Sequence, residues 1–462
     1  MAIKILLLGA FAEPRSQTGN SLLASQAFEL QSLGYSVSIL TRPRKISWRG
    51  PTPNGLQGYL ASVPCLVTER ECLHYQVVMP PALWGDRAAN PSEWRAGVSW
   101  ATQVLNELRP DVVHLHSWQD MLYFLHASTR LKIPTFYSAY DYGIPCLQSH
   151  LMREGIKLCD GIIDLRKCTK CNLTPLNFSG KMLDLFSHLP FGPWALSALY
   201  GKNATGILRR KFGMGSRYPY RTRIEWMITR WKEVAPQING LFATSPFAQK
   251  FFAQLGITEH QIYVLPWFYN QPHLCDHLPE SQSPFILGFV ARLVEHKGLH
   301  ILLQALSQVE APPVALKIAG AIDSDYSCQL QMQYPHHAGI HKVQWLGWIP
   351  NSEMHNFYKD VHAAVVPSLW YDNTPTTLVE ALAHGRPVIC TDVPSMTHLA
   401  QNGINALTFP LNDSQALARH IENMAKNPDL LKCLSQKTRN VLSASEYAQK
   451  LNDVYQMVLL RK

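Results

Sequence analysis

The amino-acid sequence predicts an α/β protein of two doubly wound domains, and three observations carry that prediction. Short β-prone apolar runs alternate with amphipathic helical patterns along most of the chain. The alternation comes in two series, parted near residue 280 by "PWFYNQPHLCDHLPESQSP", which is rich in proline and polar residues and has no period. At 462 residues the chain is also too long for one ordinary domain.

The first series opens with "IKILLLG", a buried strand, followed by "SLLASQAFELQSLGY", an amphipathic helix, and "SVSILT", the next strand: a βαβ unit. "AGVSWATQVLNELRP" continues it as a helix, and "DVVHLHS" and "IPTFYSA" as strands. Residues 141–235 interrupt the alternation, first with a group of cysteines and then with a basic, aromatic insertion. Near its end Ile224, Met227, Ile228 and Trp231 share a helical face flanked by Arg223, Arg230 and Lys232. Two readings of that face stay open, a packed core face and a helix lying on a membrane surface. The second series runs through "FILGFVARL", "GLHILLQALSQV", "VALKIAG", "VQWLGWI", "EMHNFYKD" and "HAAVVPSL". A last helical pattern, "SASEYAQKLNDVYQMVLL", is predicted to pack back on the first domain. The expected divisions are residues 1–279, 280–440 and 441–462.

Bulk properties narrow the function. With 47% hydrophobic and 16% charged residues the chain is globular, and no run approaches the length of a membrane span. "ILLLGAFA" from Ile5 is at the lower limit for a signal peptide and leads into a helical pattern, so a cytoplasmic protein is expected. The net charge of +9 is uneven: residues 1–270 carry 28 Lys+Arg against 17 Asp+Glu, the remainder 14 against 16. An acidic partner for the first half is expected, whether a membrane surface such as the inner face, a lipid-linked phosphate or an anionic polymer, unless the charge only solvates a basic face. Nucleic acid is not among the expected partners. G-x-G-x-x-G after the first strand and a Walker motif are both absent, which weakens dinucleotide and P-loop readings. The ten cysteines do not form a disulfide framework, since four fall between Cys146 and Cys171; a reducing compartment fits them better.

"SLWYDNTPTTLVEALAHGRPVI", residues 368–389, carries the sharpest local signal. Thr374 is placed to cap a helix whose first position is Pro375 and which runs through Leu378, Val379 and Leu382 to Gly385. Free N–H groups from Thr376 and Thr377 onward, with the helix dipole, suit an anion at the carboxyl end of the preceding strand. Asp372 and Glu380 add carboxylates that accept hydrogen bonds from hydroxyls. An anion joined to a hydroxyl-rich group is a sugar nucleotide; an ordinary capped helix with two solvated acids is the competing reading.

Five stretches, in order, resemble glycosyltransferase family 4, the retaining enzymes of the GT-B fold: "PDVVHLH", "NGLFATSPFAQKFFAQLGI", "FVARLVEHKGLHILLQAL", "YDNTPTTLVEALAHGRPVI" and the terminal helix. The resemblance implies two Rossmann-like domains facing across a cleft and transfer of a sugar, of hexosyltransferase type, from a nucleotide diphosphate sugar to a polysaccharide or lipid-linked acceptor. By it, Arg292 and Lys297 hold the donor diphosphate, where two fixed cations and a helix N-terminus stabilise the leaving charge without a metal. Glu380 matches the acid that binds the ribose. Asp372 stands where the family usually has Glu, touching the donor sugar, while Asn373 and Thr374 add loop contacts. In the first half Gly19 matches a glycine-bearing loop near the donor phosphate, and His116 a residue near the transferred sugar. Tyr140-Asp141 replaces a frequent His-Asp, and "TDVPSMTHLAQNG" lacks the family's usual glycine pair and acid. Asp323-Ser324-Asp325 is read as a solvated loop and not as a metal-binding D-x-D. No cofactor is required by this scheme. A glycan-binding or scaffold protein that has lost catalysis is the alternative, motivated by those departures.

Cys146, Cys159, Cys168 and Cys171 are spaced C-x12-C-x8-C-x2-C, and the final pair suits two thiolates on one metal. Structural zinc is the simplest occupant; an iron–sulfur or redox pair and free thiols remain open.

Overall fold

The computed structural model describes residues 2–9, 19–41, 60–64, 73–77, 91–116, 122–143, 146, 151–153, 157–173, 220–269, 278–279, 284–310, 312–338, 341–438 and 441–460. The chain divides into two compact units, one of Met1–Ala243, Gln249–Tyr263 and Gln449–Lys462, the other of Thr244–Ala248 and Val264–Ala448.

The first unit is wound from β1 (Lys4–Gly9), α1 (Gly19–Ser32), β2 (Ser36–Thr41), β3 (Leu60–Pro64), β4 (Leu73–Val77), α2 (Pro91–Leu108), β5 (Val112–Leu115), α3 (Leu122–Arg130) and β6 (Thr135–Ala139). A hairpin of β7 (Met152–Arg153) and β8 (Lys157–Leu158) follows, then α4 (Leu165–Leu173), α5 (Tyr220–Val234), β9 (Gly240–Ala243), α6 (Pro246–Ala253), which belongs to this unit from Gln249, and β10 (Ile262–Val264), which belongs to it as far as Tyr263. The eight-stranded sheet has the order β10-β9-β6-β5-β1-β2-β4-β3, with β3 antiparallel on β4. Ile5 to Gly9 are all buried, as a strand covered on both faces requires, and this is why the opening run reads as continuous apolar sequence. Parallel neighbours β2 and β5 flank β1, so the winding reverses between β1 and β5.

On α5, Ile224, Met227 and Trp231 are buried, and the Trp231 indole donates to the Leu255 carbonyl at 2.9 Å. The face that left a membrane-surface helix open is therefore turned into the unit's own core. Arg230 lies 5.2 Å from the Trp94 ring and pairs with Glu233, so its charge is satisfied locally.

The second unit continues with β11 (Phe268–Tyr269), β12 (Phe285–Val290), α7 (Leu299–Leu306), β13 (Val314–Ala319), α8 (Asp325–Gln333), β14 (His337–Ala338), β15 (His341–Gly347), α9 (Met354–Lys359) and β16 (Ala363–Val366). It ends with α10 (Thr376–Ala383), β17 (Val388–Thr391), α11 (Pro394–Thr397), β18 (Ala406–Phe409), α12 (Ser414–Lys426), α13 (Pro428–Gln436), β19 (Leu442–Ser443) and the start of α14 (Ala444–Leu459). Its seven-stranded sheet runs β14-β15-β13-β12-β16-β17-β18 and is parallel apart from β14. The core beneath it gathers Phe285, Leu287, Phe289, Leu302, Leu316 and Ile389. Here the winding reverses between β12 and β16.

From Gln449 onward α14 belongs to the first unit, where Tyr455 is fully buried 4.7 Å from the Phe136 ring. Each unit is thus α/β with a largely parallel sheet, the architecture the sequence predicts. Among the described residues no helix is long and apolar enough to cross a membrane.

Candidate functional site

The reversal point of the second sheet brings together the loops after β12 and β16, the place where open parallel sheets hold ligands. After β12 the chain passes Arg292 and makes a tight 3-10 turn, Glu295–Lys297, which ends at Gly298 with φ of 76°. A Cβ on Gly298 would overlap the Pro367 carbonyl oxygen, so only glycine allows the two loops this approach. The Leu369 amide donates to the His296 carbonyl at 2.9 Å and ties the loops further.

Within this junction Lys297 Nζ pairs with Asp372 Oδ2, and Ser368 Oγ donates to the same oxygen at 2.9 Å. Lys297 Nζ also lies 5.4 Å from the centre of the Trp370 ring. Asp372 is buried, and its carboxylate is offset by Lys297 instead of standing free. Arg292 is exposed, and its guanidinium has no partner among the described residues. The structure therefore brings Lys297 and Asp372 into one constellation and shows no bond from Arg292 to either.

Asn373 and Thr374 are buried and occupied. Thr244 Oγ1 donates to Asn373 Oδ1 at 2.6 Å, Trp267 Nε1 donates to the Asn373 carbonyl at 3.3 Å, and Thr374 Oγ1 donates to the Thr244 carbonyl at 3.1 Å. Thr374 has φ of 52°, a left-handed conformation that its hydroxyl bond to Thr244 holds in place. This corrects the expected cap: α10 begins at Thr376 with Pro375 before it, and no side chain caps it. The Thr374 hydroxyl is drawn to Thr244, so the amide groups of the first turn, at Thr376 and Thr377, are left without a side-chain acceptor and the helix end keeps its capacity for an anion.

Glu380 lies one turn along α10. Burial raises its carboxyl from the ordinary 4.5 to about 7, against a hydrogen bond from Tyr358 that lowers it. Behind it Arg386 is fully buried, with Nε donating to the Tyr358 carbonyl at 2.8 Å. His384 stacks on Tyr358 at 4.7 Å, and its Nδ1 bonds the Glu380 carbonyl at 2.8 Å.

In the first unit the end of β5 carries two buried histidines. His116 Nε2 bonds Gln26 Oε1 at 2.9 Å, its amide donates to the Leu8 carbonyl at 2.7 Å, and its ring lies 5.5 Å from Tyr140. Burial first of all lowers its pKa to about 3, so it is a neutral imidazole at physiological pH. His114 is held by Tyr455 and Ser138 and belongs to the packing of α14. Asp141 Oδ1 accepts from the Gly143 amide at 2.8 Å, and burial raises its carboxyl. Gly19 is the first residue of α1; residues 10–18 before it lie outside the described residues.

Sequence reasoning gave no role to Thr244, Trp267, Gln26, Ser368 or Gly298. Gly298 had a signal, the Lys-Gly step entering an apolar helix. Thr244 had none, because its partner Asn373 lies 129 residues away. Ser324 caps α8, accepting from the Ser327 amide, so Asp323-Ser324-Asp325 is a helix start and not a metal motif. Among the described residues no group of three or more His, Cys, Asp or Glu side chains is already arranged to hold a metal ion.

Comparison with known proteins bears on both units. The family model of "Glycosyl transferases group 1" matches residues 275–441, and that of the "Glycosyl transferase 4-like domain" matches residues 20–161, together roughly two thirds of the chain. A Salmonella typhimurium glycosyltransferase named for colanic acid biosynthesis, WcaL, is 26% identical over 175 residues, 37% of this chain and 43% of its own. The chain thus spans less than half the length of that relative. Among solved structures, sucrose-phosphate synthase from Thermosynechococcus elongatus aligns over 100% of both chains at 14% identity with a TM-score of 0.66. HepE of Anabaena, solved in complex with UDP, aligns over 98% of this chain and 100% of its own at 15% identity with a TM-score of 0.60. At such identities the likeness speaks for the fold.

Proposed function

Because the chain belongs to the family 4 glycosyltransferases of the GT-B fold, we propose that it moves a sugar from a nucleotide diphosphate donor to a polysaccharide or lipid-linked acceptor with retention of configuration. The observation that carries this reading is the Lys297–Asp372 pair in the loops that meet at a sheet reversal point, ahead of the uncapped start of α10. That arrangement sets a cation, a bank of amides and a hydroxyl-accepting carboxylate on one loop junction, as a pyrophosphate joined to a sugar requires. The Anabaena relative's complex with UDP supports a nucleotide donor.

In this scheme the bond between the sugar's anomeric carbon and the diphosphate oxygen breaks as the acceptor oxygen bonds the same face. The acceptor's proton goes to the departing phosphate. Negative charge grows on that leaving group, and Arg292, Lys297 and the α10 amides offset it, so no cofactor is needed. Asp372 shares Lys297 with the donor and accepts from its sugar hydroxyls. Glu380 accepts from the ribose, and neutral His116 offers a hydrogen bond to the transferred sugar or the acceptor.

A second reading, a glycan-binding protein without turnover, is favoured by one fact: Asp372 already neutralises Lys297, and Asn373 and Thr374 spend their side chains internally. Incubation with a panel of sugar nucleotides separates the two. Transfer or slow donor hydrolysis, with the product's anomeric configuration read by NMR, supports the enzyme; saturable donor binding with no product over days defeats it.

A further inference from the structure

We propose that Cys146, Cys159, Cys168 and Cys171 bind one structural zinc ion in the first unit. The four thiols line a single cavity of about 30 Å³, which they reach from three stretches of chain. Cys146 follows the turn after β6, Cys159 follows β8, and Cys168 and Cys171 stand one turn apart on α4. None of the four is in a disulfide, and apolar side chains such as Leu151, Met152 and Ile224 line the cavity with them.

Two features of the segment call for a cross-link there. The first is its lack of core. Its hairpin has two residues in each strand, α4 buries only Asn172, and among the described residues between 141 and 173 the buried apolar side chains are Tyr142, Leu151 and Met152. So little apolar burial does not order a hairpin and a helix unaided, and small folds of this kind depend on disulfides or metals. The second is charge. Four thiolates on a divalent ion carry a net charge of about −2. Arg153 and Lys167 line the same cavity, and both pair with the single carboxylate of Asp160. Two cations against one carboxylate leave a net positive charge beside the cavity, which offsets part of that negative charge, as outer partners of metal ligands do.

The sulfurs are not yet closed on one point, since no three ligating side chains are arranged as a metal site. The ion therefore gathers the thiols as it binds, coupling metal uptake to local folding. Cys171 Sγ now donates to the Met152 carbonyl at 3.4 Å, and burial together with its three thiol neighbours raises Cys168. On binding, the thiol protons leave to solvent and nothing is oxidised or reduced.

The test is independent of sugar transfer. The full chain, purified under reducing conditions without added metal, is analysed for bound elements. About one zinc per chain is expected. Cys168→Ser and Cys171→Ser should fall below about a tenth of an equivalent, while Cys328→Ser, at an exposed cysteine elsewhere, keeps the metal. Should the serine variants fail to fold, cobalt titrated into metal-stripped wild type reads the same site through a thiolate-to-cobalt charge-transfer band and tetrahedral d–d absorption. Zinc-free protein that yields no such spectrum, an iron–sulfur chromophore, or a disulfide among these four residues by mass spectrometry would each overturn the assignment.

Discussion

Lys297 and Asp372 lie 75 residues apart in sequence, yet the charge of each explains the placement of the other. Two substitutions that look alike on paper should therefore behave differently. Arg292→Ala removes an exposed cation, so unfolding in urea should be unchanged while turnover falls by about 2–4 kcal/mol of transition-state stabilisation, measured as kcat/KM. Lys297→Ala should lose activity to a similar degree and also destabilise the fold by about 1–3 kcal/mol, because it strands the buried Asp372 carboxylate. Adding Asp372→Asn should restore much of that stability without restoring turnover; a double variant as unstable as the single one would show that the pair is not the cause. Glu380 gives a pH dependence of defined sign. The folded chain holds its proton to about pH 7, whereas an unfolded chain releases it near 4.5. Stability on this account is fully present below pH 4.5 and declines as pH rises toward 7, by up to about 3 kcal/mol. Glu380→Gln should flatten that decline in urea titrations at pH 5 and pH 8.

The loops after β12 and β16 show what sequence could and could not reveal. Their flanking strands were legible because a parallel strand buried on both faces must read as unbroken apolar residues, and "FILGFV" and "AAVV" do. The start of α10 lies one position beyond the one the sequence predicts, because Thr374 before Pro375 has the signature of a cap, while its left-handed backbone sends the hydroxyl to Thr244. Nothing local encodes that choice; it depends on a residue brought in by another part of the fold. The charged residues of the candidate site were legible as types, but the ion pair between two of them was not, for the same reason. Gly298 joins these levels. With φ of 76° and no room for a Cβ beside Pro367, Gly298→Ala should cost at least about 1–3 kcal/mol and disturb the approach of both loops. Equilibrium urea unfolding checks the stability, and a rise in KM for the donor that exceeds the loss of kcat would show the loops displaced. A variant as stable and active as wild type would mean that the junction yields without cost.

For the molecule as a whole, the two compact units are not two consecutive halves of the chain. The first unit is finished by the distant stretch Gln449–Lys462, whose Leu451, Val454 and Tyr455 are buried in it. Tyr455 packs against Phe136, and its hydroxyl meets His114, the histidine that also bonds Ser138. Tyr447, on the same helix but before Gln449, packs instead at 4.6 Å from Phe268 in the second unit. A single side chain can therefore be used to weaken one unit selectively. Tyr455→Ala removes a buried aromatic and leaves His114 without one of its partners, a loss of about 3–5 kcal/mol. In scanning calorimetry it should lower the transition of the first unit. The transition that a nucleoside diphosphate raises, assigned to the second unit with its Lys297 and α10 start, should hold its position. If Tyr455→Ala instead lowered the nucleotide-sensitive transition by the same amount, the units would be unfolding as one and the division at Gln449 would carry no energetic meaning.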